Sequence, residues 1–107
     1  MKVYYIDKLK KNLIIKDKLI ENGIENVEVK SSYNFKATKN DYVILSEYNE
    51  KDSENDLLKK INNLIIITRE KDKDIIWKAV NSYKTIDIIS YDSDKDYIAQ
   101  RISKIVN

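Results

Sequence analysis

Leu64-Ile65-Ile66-Ile67-Thr68 is apolar at every position but its last. Five residues is strand length, and an unbroken branched run fits a strand covered on both faces, as in the centre of a parallel sheet. Residues 41–47 (DYVILSE) carry the same signal, with Tyr42, Val43, Ile44 and Leu45 contiguous. Between the two runs, Ser53 stands as a helix cap with Asp56 three residues on, and Leu57, Leu58 and Ile61 supply an apolar stripe. Downstream, polar residues 69–73 lead into a helix over 74–83. There Ile75, Ile76, Ala79, Val80 and Tyr83 recur with helical spacing. Residues 85–90 (TIDIIS) read as a further strand. A last helix is predicted from Ser93, with Asp96 placed for a capping box and a stripe of Tyr97, Ile98, Arg101, Ile102 and Ile105. Arg101 is expected along the edge of that stripe.

Working the other way, residues 2–7 (KVYYID) read as a strand and residues 8–22 as a helix. Its predicted inward face holds Leu9, Leu13 and Ile20, with Ile15 and Leu19 beside them and Lys16 snorkelling. Gly23 follows at the position where a left-handed residue closes a helix. Residues 27–29 are a brief strand, and residues 31–40 are expected to be mostly loop. Strands alternating with helices imply parallel pairing and right-handed crossovers. The expected fold is therefore α/β: a flavodoxin-like (CheY-like), doubly wound, five-stranded parallel sheet with flanking helices. Length gives one domain spanning residues 1–107, either standing alone or as the N-terminal domain of a longer protein.

The composition excludes much chemistry. The 107 residues contain no cysteine and no histidine, which removes thiolate nucleophiles, zinc sites of the usual kind, disulfides and histidine acid–base catalysis. Gly23 is the only glycine, so neither a phosphate loop nor a dinucleotide fingerprint can be built. The 20 basic and 18 acidic residues leave a net charge of +2 without clustering, and only Arg69 and Arg101 are arginine. Nucleic acid is not the expected partner. No apolar run approaches a membrane span, and the N-terminus does not read as a signal peptide. The cytoplasm is the expected compartment. No cofactor is implied.

In an open α/β sheet, ligands bind at the carboxyl ends of the strands. That rim should gather Asp7, Ser46, Glu47, Thr68 and Ser90. Asp7 and Glu47 could hold a divalent cation, but no third acidic ligand is evident, and solvated loop carboxylates are the plainer reading, so no metal is expected. Thr68 could bond a phosphate or cap a turn. Trp77 falls beside the main stripe of its helix, where it either closes over the sheet edge or anchors a partner. Tyr83 and Tyr91 flank the fifth strand and could extend the same surface.

The order strand, helix, strand, apolar strand ending at Ser46-Glu47, apolar strand ending at Thr68, then strand and helix resembles the receiver domain of two-component signalling. Receivers accept a phosphoryl group on an aspartate ending the third strand, hold magnesium with an acidic pair after the first, and carry a hydroxyl residue and a lysine at the ends of the fourth and fifth. Here Ser46 matches the acceptor position, Asp7 one acidic position, Thr68 the hydroxyl position and Ser90 the lysine position. The nucleophile and the lysine are missing. The resemblance therefore implies a degenerate receiver without enzymatic activity. The segments Ser90-Tyr91-Asp92-Ser93 and LIIIT-Arg69-Glu70 are similar to those of atypical receiver domains preceding MinD/ParA-like ATPases of the TadZ/CpaE type. That likeness implies a phosphorylation-independent interaction, dimerisation or localisation module for pilus or secretion machinery, with Trp77, Tyr83, Tyr91 and Tyr97 on its contact face. The alternative is a small-ligand or phosphate sensor using the strand-end rim.

Overall fold

A computed structural model describes residues 2–9 and 13–107. Five strands, β1 (Val3–Ile6), β2 (Val27–Lys30), β3 (Tyr42–Ser46), β4 (Asn63–Thr68) and β5 (Thr85–Ser90), form one sheet in the order β2-β1-β3-β4-β5. Every pairing is parallel. The helices are α1 (Leu13–Glu21), α2 (Asp56–Lys60), α3 (Lys73–Ser82) and α4 (Lys95–Val106), with a 3-10 turn at Glu50–Asp52. This is the flavodoxin-like α/β arrangement expected from the strand pattern. Among the described residues no helix is long and apolar enough to cross a membrane.

The period of two along each strand divides the core into two layers. Val3, Tyr5, Ile44, Ile65, Ile67 and Ile89 face α1 and α4, where they meet Ile15, Leu19, Ile98 and Ile102. Tyr4, Ile6, Val43, Leu45, Leu64 and Ile66 face α2 and α3, where they meet Leu58, Ile61, Ala79 and Tyr83. Each fully buried Leu or Ile contributes about 1.5–3 kcal/mol relative to exposure. That explains how α2 survives with only five residues. Leu58 and Ile61 are both completely buried, and the Asn55 side chain accepts the Leu58 N–H at 3.1 Å.

The predicted caps move. Asn55, not Ser53, caps α2; Ser53 closes the 3-10 turn, its N–H donating to the Glu50 carbonyl. Asp94, not Ser93, caps α4, accepting the Asp96 and Tyr97 N–H groups. A carboxylate or amide oxygen one or two residues closer to the first turn outcompetes the serine hydroxyl in each case.

The predicted inward face of α1 is also corrected. Ile15 and Leu19 are buried, whereas Leu9, Leu13 and Ile20 are exposed. Of the helix expected over residues 8–22, residues 10–12 lie outside the described residues, and Lys8 and Leu9 form a turn. A nine-residue helix buries one i,i+4 pair, and apolar residues around most of its circumference leave the period ambiguous. Gly23 closes α1 with φ +89°: its N–H donates to the Ile20 carbonyl and that of Ile24 to the Leu19 carbonyl. These two bonds make a Schellman cap, and the Leu19–Ile24 contact in the core completes it.

No helix joins β2 to β3. Residues 31–40 cross as irregular chain, and Tyr33, Phe35 and Ala37 cover part of the α2/α3 layer, with the Tyr4 and Phe35 rings 4.7 Å apart.

Candidate functional site

The carboxyl rim is built from the segments that leave the strands. Asp7 follows β1 and is 1% exposed; its N–H donates to the Lys30 carbonyl at 2.8 Å. Ser46 ends β3, is equally buried, and donates its hydroxyl to the Ile6 carbonyl at 2.9 Å. Beneath them, Tyr5 is wholly buried. Burial first, and the Asp7 carboxylate second, push its phenol above the ordinary value, while a side-chain bond with Ser46 opposes them. Ser46 thus has its proton committed to a main-chain oxygen, with no histidine anywhere in the chain to take it.

Glu47 takes a left-handed backbone, φ +55°. For a non-glycine residue this costs roughly 1–2 kcal/mol. The bend turns the chain so that Tyr48 drops into the α2/α3 layer, its N–H donating to the Ile67 carbonyl. The Glu47 carboxylate pairs with Arg69 Nε at 3.2 Å. Arg69 also lies over Tyr91, its Cζ 4.0 Å from the ring centroid. Lys95 reaches the same ring at 3.9 Å and donates to the Tyr91 carbonyl.

A second cluster closes the rim. Asp52, 3% exposed, accepts from Lys8 Nζ at 2.6 Å, from the Tyr33 hydroxyl at 2.6 Å and from the Asn49 N–H at 2.9 Å. Its main-chain carbonyl accepts from the Tyr83 hydroxyl, which in turn accepts the Asn55 N–H at 2.9 Å. Burial, then the bond to Asp52, push the Tyr33 phenol far up. Sequence reasoning missed Asp52 as a hub. Its one local signal was the Asn49-x-x-Asp52 spacing of a capping box.

Asp7, Ser46 and Glu47 line one cavity of about 230 Å³ together with Lys8, Leu9, Asn49 and Lys51. Thr68 and Ser90 do not join it. Alternation turns both toward the α3 side of the sheet. There the Thr68 hydroxyl donates to the Tyr48 carbonyl and accepts the Glu70 N–H, while Ser90 accepts the Asp92 N–H. Thr68 therefore closes a turn. Among the described residues no three His, Cys, Asp or Glu side chains gather as a metal ligand set.

Of the four expected contact residues, Trp77 is 65% and Tyr97 49% exposed. Tyr91 is half-buried between the two cations. Tyr83 is corrected: at 5% exposure it belongs to the core and to the Asp52 hub. It caps α3 with an extended backbone, which turns its ring under the sheet.

No protein-family model matches the chain, and no curated protein proved similar to it.

Proposed function

We propose that this chain is a phosphorylation-independent pseudo-receiver whose work is protein interaction, by self-association or by docking a partner along α3, β5 and α4. The observation that carries the reading is apolar exposure along one open edge. β5 pairs only with β4 and exposes Ile86; α3 exposes Trp77 and Val80, and α4 exposes Tyr97. Large aromatic residues standing in solvent beside a strand with one free edge suit an interface anchor. On the likeness set out above, a MinD/ParA-like ATPase of pilus or secretion machinery is the partner such a module would position, in the cytoplasm.

The alternative, a ligand sensor at the carboxyl rim, finds less support, because Lys8 and Arg69 are already neutralised by Asp52 and Glu47.

Sedimentation equilibrium of the wild type against Trp77→Ala and Ile86→Lys tests the reading. Self-association, or binding of a candidate ATPase, should weaken at least tenfold in both variants with the thermal midpoint nearly unchanged. Unaltered association in both variants would remove this edge from consideration.

A further inference from the structure

Three lysines without acidic partners, Lys39, Lys60 and Lys84, line one groove at the other end of the molecule. Three chain segments enter the sheet side by side there, immediately before β3, β4 and β5. They are laced by main-chain bonds: the Asn62 N–H donates to the Lys39 carbonyl at 3.2 Å, and the Leu64 N–H to the Lys84 carbonyl at 3.3 Å. With the end of α2 they enclose an open groove of about 550 Å³ lined by Thr38, Lys39, Lys59, Lys60, Asn62 and Lys84. Among the described residues no carboxylate lines it. Lys59 pairs with the exposed Glu54, and Lys84 donates to the neutral Asn62 Oδ1 at 3.0 Å. Lys39, Lys60 and Lys84 make no ion pair with any described residue. Asp41, which follows the first of these segments, is buried and turned inward, accepting the Lys2 and Thr38 N–H groups.

We infer that this groove is an anion site for an oligophosphate group, free or carried on a small molecule. Three unpaired ammonium groups, and a fourth on Lys59 that is shared with the exposed Glu54, come from three segments far apart in sequence to line one groove, a concentration of positive charge that a multiply charged anion neutralises. The chemistry favours phosphate over carboxylate. Lysine binds phosphate as a point charge, whereas paired recognition of carboxylates belongs to arginine, and the groove has none. The Asn62 side-chain N–H groups offer neutral donors beside the ammonium groups. Among the described residues Ala37 is the only apolar one along the groove and none is aromatic, so a nucleobase would find nothing there to stack on. The site is thus expected to read phosphates and ignore what carries them.

Calorimetric titration of the full chain with sodium tripolyphosphate at low ionic strength tests this. One saturable site is expected, weakened at least tenfold by Lys39→Gln with Lys60→Gln. The control pair Lys71→Gln with Lys73→Gln, near the opposite rim, should change it less than twofold. ATP should bind within about threefold of tripolyphosphate, and adenosine should not bind. Amide shifts in the wild type should centre on residues 37–39, 60–62 and 84, a readout independent of any variant. Shifts spread over the whole surface, equal losses in both variant pairs, or preference for an oligoglutamate peptide over tripolyphosphate would each overturn the proposal.

Discussion

Lys8 Nζ and Asp52 Oδ1 stand 2.6 Å apart although 44 residues separate them in the chain. Lys8 leaves β1, Asp52 belongs to the 3-10 turn after β3, and Tyr33, on the same carboxylate oxygen, comes from the irregular crossing between β2 and β3. One buried carboxylate therefore fastens three segments over the carboxyl rim of the sheet. Asp52→Ala strands the Tyr33 hydroxyl and the Asn49 N–H, and a loss of about 2–4 kcal/mol is expected in urea unfolding. Lys8→Met should cost less, about 1–3 kcal/mol, because a quarter of the Lys8 side chain is exposed and solvent screens the pair. A change under about 0.5 kcal/mol in both variants would show that the rim is not held this way.

The sheet was legible because its central strands, LIIIT and YVIL, are apolar without interruption and only a doubly covered strand accommodates that. Gly23 was legible because it is the chain's only glycine. The α1 face was not, since apolar side chains surround much of that short helix and only tertiary contact chooses Ile15 and Leu19. At the rim, strand ends gave the positions of Asp7 and Ser46 but not their partners. Asp52 lies in the polar stretch Asn49-Glu50-Lys51-Asp52-Ser53-Glu54-Asn55, where the capping-box spacing from Asn49 marks it as a cap but not for burial. Its partners come from other loops, and pairing over such distances leaves no periodicity to read.

Gly23 has open space around the place a Cβ would occupy, so substitution there meets no clash. What remains is the backbone, at φ +89°. Gly23→Ala is expected to lose about 1 kcal/mol and Gly23→Asn less, because asparagine tolerates the left-handed region. Urea midpoints with unchanged slopes measure this. An alanine variant as stable as the wild type would contradict a left-handed cap at this position.

Alkaline pH should unfold the domain steeply. The phenols of Tyr5, Tyr33 and Tyr48 are all raised, principally by burial, Tyr48 to about 12. A raised group keeps its proton in the folded chain after the unfolded chain has released it near 10. Stability is therefore intact below pH 10 and falls as pH rises toward the folded values, by up to about 1.4 kcal/mol per pH unit for each phenol. Absorbance at 295 nm should rise in two steps, exposed tyrosines first and the buried set together with loss of the circular dichroism signal. Complete phenol ionisation with the native signal retained would contradict the buried placements.

The pair joining α4 to the edge strand makes the last prediction. Arg101 meets Asp87 with two parallel bonds, Nε to Oδ2 at 2.7 Å and Nη2 to Oδ1 at 2.6 Å, and its Nη1 donates to the Tyr97 hydroxyl at 3.2 Å. A lysine can reach one carboxylate oxygen but cannot reproduce the fork. Because the Arg101 side chain is 39% exposed, solvent screens the pair, and Arg101→Lys should cost only about 0.5–1 kcal/mol of global stability. Its larger effect should be local. Tyr97 loses a donor to its hydroxyl, and α4 loses its side-chain fork to β5. Hydrogen exchange of the β5 and α4 amides should then accelerate more than that of β1 or β3. Uniform acceleration across the sheet would mean that Arg101 contributes to global stability alone and does not set the stiffness of this edge.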